Sequence, residues 1–243
     1  MALGKSLGWS MSSLPLDREL LRMQIDTLFT HDPNGRMVSV NEPGGKDAPR
    51  FFLGKTTGGN EWRFRHDVDD QLRGELELLC AAEPGDGADA PRDSTRFEEV
   101  LSRFAPVQRI WAGPAYWFPS ELPAASGAVR ITKENRDLLR PHLEEWLGDV
   151  GFRDLMFAIV VGGRAVSICC SVRASSVAHE VGVETAPEFR GRGFAKQVVG
   201  TWATAVRKLC RIPLYSTSWD NTASQALARS LRLRSYGSDL HIT

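Results

Sequence analysis

The chain has 243 residues, against about 100–200 for a typical domain, so one large or two small domains are expected. Thirty basic residues balance thirty acidic ones for a formal net charge of zero, which argues against a nucleic-acid binder working by bulk charge but leaves room for a local basic site. A hydrophobic share of 42% and a charged share of 25% exclude disordered, collagenous and coiled-coil classes.

Four cysteines, Cys80, Cys169, Cys170 and Cys210, form no C-x-x-C pair, and no histidine cluster stands at zinc-ligand spacing, so no metal site is expected. Cys169 and Cys170 lie side by side in an apolar segment and read as buried reduced thiols, which fits a cytoplasmic location. The opening stretch MALGKSLGWSMSSLPLDREL lacks the continuous apolar core of a signal peptide. The longest apolar run, Leu155 to Val161, falls far short of a membrane span, so a soluble chain is expected.

Along the first half, Leu21, Ile25, Leu28 and Phe29 mark one face of a helix from about Pro15 to Phe29. Turn-rich stretches follow at 31–35 and 41–45, with strands expected at Met37–Val40, Phe51–Gly54 and Trp62–Arg65. Val68, Leu72, Leu76 and Leu79 predict a helix over Asp67 to Ala82, and Glu83–Asp93 reads as a loop. Thr95 and Glu98 have the spacing of a capping box that opens a further helix. Tyr116, Trp117 and Phe118 either line a pocket or pack an interface between modules. A boundary is expected near 119–127, where turn formers concentrate.

After that boundary the expected order is strand Ala128–Ile131, helix Asn135–Leu147, and strands Met156–Val161 and Ala165–Val172 joined by Gly162-Gly163. A strand His179–Thr185, a helix Phe194–Cys210, a strand Leu214–Ser218, a helix Thr222–Leu231 and a strand Ser235–Ile242 complete it. A hairpin followed by a strand–helix–strand crossover predicts a mixed α/β unit.

The most informative segment runs from Glu180 to Ala195. Pro187 ends a strand, and Gly191 and Gly193 let the backbone turn tightly into a helix whose unpaired N–H groups and positive dipole end converge on one point. An anion belongs there, with Arg190 and Arg192 adding charge. Neither the P-loop nor the dinucleotide fingerprint fits this spacing.

This segment resembles the coenzyme A loop of the GNAT (GCN5-related) N-acetyltransferases, written Gln/Arg-x-x-Gly-x-Gly/Ala and present as Arg190-Gly191-Arg192-Gly193-Phe194-Ala195 after the similar run Val183 to Phe189. Asn221 and Ser224 match a downstream Asn-x-x-Ala/Ser, and Ser218-Trp219-Asp220-Asn221 resembles the branch that includes zwittermicin A resistance proteins. The resemblance spans roughly residues 128–243. It implies an α/β (α+β) chain in which residues 126–243 form a GNAT fold with a mixed central sheet flanked by helices. Residues 1–125 would form a smaller α/β domain, read either as a degenerate unit of the same kind or as a cover for the acceptor. It also implies acetyl-CoA as acyl donor and a small-molecule amine as acceptor, with no nucleic acid or membrane partner, in a monomer or homodimer. Val183, Glu184 and Thr185 would contact pantetheine. Arg190, Gly191, Arg192, Gly193, Phe194, Ala195 and Lys196 would hold the pyrophosphate, with Asn221 and Ser224 beside the arm. Asn221 reads equally as a helix N-cap.

Acetyl transfer to an amine needs a base and an oxyanion donor. By the same resemblance, the backbone N–H of Val183 or a neighbour meets the oxyanion, and Glu180, then Glu184, is the candidate base. The two share a face unless a bulge intervenes. His179 is a further substitute. Two departures stand out. Ala228 occupies the position where the family often has a tyrosine, leaving Tyr215 and Tyr236 as remote acids, and Leu231-Arg232-Leu233 stands for Leu-Gly-Phe. Only ten residues follow, so a missing sheet edge is expected to come from the N-terminal half or another subunit. Trp62, Trp111, Tyr116 and Trp117 either line the acceptor pocket or form core. A coenzyme A-binding regulatory or scaffold protein without catalysis is the alternative.

Overall fold

The computed structural model describes residues 16–84, 93–119 and 127–243. Most of the expected loop at 83–93 and of the boundary at 119–127 lies outside the described residues, as does the opening stretch.

In chain order the elements are α1 (Asp17–Leu28), β1 (Phe29–His31), β2 (Met37–Val40), β3 (Phe51–Thr56), β4 (Gly59–Phe64), α2 (Asp70–Ala82), α3 (Thr95–Ser102), β5 (Ile110–Trp117), β6 (Ala128–Arg130), β7 (Asp154–Val161), β8 (Arg164–Ala174), β9 (Ala178–Thr185), α4 (Phe194–Lys208), β10 (Ile212–Ser216), α5 (Thr222–Ser230) and β11 (Arg234–Ile242). Nine strands form one sheet in the order β4-β3-β11-β5-β10-β9-β8-β7-β6. Among the described residues, only β9 and β10 pair in parallel within it, around the crossover helix α4. The hydrogen-bonded sheet runs through both halves of the chain: β5 inserts between β11 and β10, and β3 continues the sheet beyond β11. The edge missing from the second half is thus supplied by the first.

Alternation along the strands sends side chains to two faces. On one, Leu20, Leu21, Ile25 and Leu28 of α1 pack on Phe52, Ala115, Ala178, Leu214 and Tyr236. Leu139 and Leu143 cover Ile168 and Cys170 of β8 farther along the same face. On the other, Val198, Val199, Trp202 and Val206 of α4 and Ala228 of α5 bury Val181, Cys169 and Tyr215. There α2 and α3 bury Phe51, Leu53 and Phe64.

Four expectations change. Asn135–Leu147 is not one helix but two short 3₁₀ turns, Arg136–Leu139 and Glu144–Asp149. Pro141 between them lacks the N–H that a continuous helix needs and disfavours helical backbone at Arg140. Thr95 is the first residue of α3 rather than its cap: Ser94 precedes the helix, and Asp93 Oδ1 accepts the Thr95 N–H at 2.9 Å. Phe29 starts β1 instead of ending α1. The strand β5 is absent from the sequence reading because Gly113 and Pro114 argue against a central strand. Here both fit. Pro114 O accepts the Thr217 N–H at 3.3 Å, and a Cβ on residue 113 would lie 1.7 Å from Thr217 O. The aromatic cluster packs: Phe118 lies 5.8 Å from Trp202, and Tyr116 6.3 Å from Tyr215, ring centre to ring centre.

Candidate functional site

Pairing between β9 and β10 covers only Ala178–Glu180 against Ile212–Leu214. Past that point the strands part, because β10 stays with β5 through Ser216 while β9 stays with β8 through Thr185. Along this opening, the edge of Val181–Thr185 that faces β10 has no strand across from it, the arrangement that accepts an extended ligand by backbone pairing. A register shift does occur here, but the extra residue is Val172 on β8, between Ser171↔Val181 and Arg173↔Glu180. The pleat of β9 is therefore intact, and Glu180, Gly182 and Glu184 share the α1 face.

The opening leads into the glycine turn. Pro187–Phe189 makes a single 3₁₀ turn, and Gly191 and Gly193 then take φ of +74° and +79°. A Cβ at either would meet no protein atom within 4 Å, so it is left-handed backbone, rather than crowding, that calls for glycine. The first backbone bond inside α4 runs from Gln197 N–H to Gly193 O at 3.2 Å, which leaves the N–H groups of Phe194, Ala195 and Lys196 ahead of it. Arg190 Nε donates to Thr185 O at 3.1 Å, and the Arg192 guanidinium donates to Glu188 O at 3.1 Å while lying 5.2 Å from the Phe189 ring centre. The helix end thus has two guanidinium groups folded back on the turn beside it.

Glu180 is 2% exposed. Its Oε1 accepts the Ser216 hydroxyl at 2.7 Å, and its Oε2 is buried without a partner. Burial pushes its pKa from the ordinary 4.5 up to about 7, against the opposing pull of the Ser216 hydrogen bond and the Arg173 charge. Glu180 lines a cleft of 980 Å³. Its lining includes Val172, Arg173, Val181, Ser216, Thr217, Ser218, Asn221 and His241, together with Glu42, Arg65, Arg109 and Trp111 of the first half. The first half of the chain therefore supplies much of the lining. Glu42 spans the two halves, 3.6 Å from Arg173 and 3.7 Å from Arg153, and the neighbouring Asn41 Nδ2 donates to Ala174 O at 3.0 Å.

The other candidates fall in different places. Glu184 accepts the Trp146 indole N–H at 2.7 Å and does not line this cleft. Val183 packs against the α4 core, and the Thr185 hydroxyl pairs with Ser167 at 2.8 Å. His179 faces α4, where Nδ1 meets the Ser171 hydroxyl at 2.8 Å and burial lowers its pKa. Asn221 reaches the cleft and also caps α5, accepting the Ser224 N–H at 3.0 Å. The Ser224 hydroxyl pairs with Tyr215, whose pKa burial pushes up to about 12. Ala228 is fully buried in the core, and Tyr236 is buried with its hydroxyl unpartnered. Of the four aromatics considered for the pocket, Trp111 lines it, while Trp62, Tyr116 and Trp117 pack into separate core clusters.

Sequence reasoning missed Arg173, Ser216, Glu42 and His241. Each sits in a segment with no motif, and each joins the site only because nonadjacent strands meet there. Cys80, Cys169 and Cys170 are buried free thiols, whereas Cys210 is exposed. Among the described residues no helix is long and apolar enough to cross a membrane.

Residues 154–235, from β7 to the start of β11, match the family model described as GNAT acetyltransferase. No curated protein matches the chain. Among solved structures, the chain is similar to a GNAT-family protein from Novosphingobium aromaticivorans (18% identity, TM-score 0.49), over 56% of this chain and 65% of that one, slightly under two thirds of its length. It is also similar to a GCN5-related N-acetyltransferase from Kribbella flavida (14% identity, TM-score 0.48, 95% and 96% of the two chains). A GCN5-related N-acetyltransferase-like protein from Streptococcus suis shares 20% identity over 81% of this chain and 85% of that one, at a TM-score of 0.45.

Proposed function

We propose that the chain is an N-acetyltransferase that moves an acetyl group from acetyl-CoA to the amine of a small molecule, with Glu180 as the base. One observation carries this reading: a buried carboxyl with a pKa of about 7 and an unpartnered oxygen lies where the β9–β10 opening meets a large cleft. A base that titrates near neutrality is half ionised at working pH and strong enough to take an ammonium proton. The glycine turn supports the donor side of the reading. Its backbone donors and the end of the α4 dipole suit a pyrophosphate, and the free edge of Val181–Thr185 suits an extended amide-bearing arm and a thioester oxygen. The acceptor would occupy the cleft, whose lining includes Glu42, Arg65 and Trp111. The run Ser218-Trp219-Asp220-Asn221, whose Ser218 and Asn221 line the cleft, is the part of the chain that supports the finer, zwittermicin A resistance-like reading.

Ala228 removes the tyrosine that often protonates the leaving sulfur, and the reading uses no protein acid there, because a thiolate is a tolerable leaving group. Free-thiol release from acetyl-CoA across a panel of amines tests the proposal. Glu180→Gln is expected to lower turnover about 10²-fold or more while acetyl-CoA still shifts the melting temperature. Gly193→Asp, which sets a carboxylate at the anion site on left-handed backbone, is expected to abolish that shift. Full turnover by Glu180→Gln would remove the assigned base, and binding without turnover for any amine would favour the non-catalytic coenzyme A binder.

A further inference from the structure

Buried polar atoms without a partner are rare in folded proteins, and each calls for a cause. Two of them belong to neighbouring side chains of opposite sign. Glu180 on β9 and Arg173 on β8 are direct cross-strand partners, and both line the cleft. Glu180 Oε2 and Arg173 Nε are each buried with no hydrogen-bond partner. Burial raises the Glu180 pKa, and the Arg173 charge is near enough to oppose that rise, yet no ion pair joins the two among the described residues. Arginine has five N–H donors and no acceptor. Among the described residues, the Arg173 side chain spends none of the five in a hydrogen bond. Its ion-pair partner Glu42 stands 3.6 Å from Nη2, beyond ordinary hydrogen-bond length, and lies 3.7 Å from Arg153 as well. The other cations on the lining differ. Arg65 is committed to Asp67 through contacts of 2.6 and 3.0 Å and to Ala48 O at 3.1 Å, while Lys46 and Arg109 are exposed. Arg173 is thus the half-buried guanidinium of the cleft that lacks an acceptor, with its side chain 29% exposed.

We propose that the acceptor is an amine carrying a carboxylate close to its nitrogen, an amino acid or a molecule with an amino-acid end, and that Arg173 holds the carboxylate while Glu180 meets the amine. The inference rests on the acetyl transfer proposed above and narrows its substrate. Cross-strand partners have Cβ atoms roughly 5 Å apart, so one small molecule can span both side chains. A planar guanidinium fork matches a planar carboxylate through two parallel N–H···O bonds. An ammonium beside Glu180 supplies the donor that Oε2 lacks, and a carboxylate beside Arg173 supplies the missing acceptor. Glu42 keeps Arg153 as its own partner. An amine without the acid group displaces water from the cleft and leaves the guanidinium with no acceptor, which is how a polar site rejects an analogue that lacks one group. In the transfer, Glu180 takes one proton from the ammonium. The freed lone pair forms the C–N bond as the C–S bond breaks, and a second nitrogen proton ends on sulfur. The carboxylate takes no part in bond making and serves only to place the nitrogen.

The test is free-thiol release from acetyl-CoA by the full chain with matched acceptors: alanine against ethylamine, leucine against isopentylamine, and phenylalanine against phenethylamine. Each pair differs only in the carboxylate. The parent chain is expected to favour the amino acid in kcat/KM by about 10- to 100-fold. Arg173→Gln is expected to collapse that ratio to within about threefold, and Arg173→Lys, which keeps the charge and loses the fork, to retain part of it. A merely structural role for Arg173 would lower both members of each pair together and leave the ratio standing, which overturns the assignment. Equal use of both members by the parent chain overturns the carboxylate reading, while loss of turnover in Glu180→Gln still upholds the base. If no amine of either kind releases thiol, the transfer reading falls and this one with it. Should Arg173→Gln fail to fold by its melting temperature, the parent ratio and Arg173→Lys decide.

Discussion

The glycine turn and the cleft at Glu180 are built by opposite strategies. At the glycine turn, Arg190 to Lys196 carry their whole chemistry within one contiguous stretch: two left-handed glycines, a helix start and two guanidinium groups, largely exposed and with open space around the glycines. The cleft at Glu180 draws on β2–β3, β5, β8, β9, β10 and β11, and its Glu180 and Thr217 are buried. A glycine turn is set by local backbone geometry and tolerates water. A carboxyl held near pKa 7 needs water excluded from several sides, which no single segment can arrange.

That difference can be broken at Gly113. Gly113→Ala places a Cβ 1.7 Å from Thr217 O, a backbone atom that cannot swing aside, so the strands under Glu180 must separate. A loss of about 3 kcal/mol or more is expected in chemical unfolding, whereas alanine at the exposed Arg192 is expected to stay within about 0.5 kcal/mol. Equal losses at both positions would erase the contrast.

The titration of Glu180 sharpens it. Its folded pKa of about 7 lies above the ordinary 4.5, so the folded state holds the proton more tightly. The associated stability is fully present below about pH 4.5 and is lost as pH rises through about 7, a change of roughly 3 kcal/mol. Urea midpoints at pH 5 and pH 8 are expected to differ by less in Glu180→Gln than in the parent chain. An identical pH dependence in the two would place the carboxyl in water.

The smallest effect is expected outside both the glycine turn and the cleft. Arg232, at φ +56° just after α5, holds left-handed backbone where the resembled motif has glycine. Arg232→Gly is expected to raise stability by about 0.5–1 kcal/mol, read as a melting-temperature increase, because relief of the left-handed conformation outweighs the added chain entropy. A decrease would mean that the arginine side chain contributes more than its backbone costs.

Much of the fold was legible where patterning is local. Apolar runs and the Gly162-Gly163 turn, with φ of +56° and +77°, marked the β7–β8 hairpin, and the 3.6-residue period of Val198, Val199, Trp202 and Val206 marked α4. The segment 135–147 misled because its apolar spacing is helical while Pro141 interrupts the backbone bonds. β5 stayed hidden because Gly113 and Pro114 are unfavourable in isolation and become favourable only beside Thr217.

What the sequence alone determined is the segment from Glu180 to Lys196: a strand, a stop at Pro187, a glycine turn and a helix start, all set by interactions within a few residues. What only the tertiary structure decided is that Glu180 rather than Glu184 faces the cleft, that the first half of the chain supplies much of its lining, and that Glu180 Oε2 is buried without a partner. Burial and a raised pKa are sums over distant neighbours, and those neighbours are chosen by strand order, which no local pattern encodes.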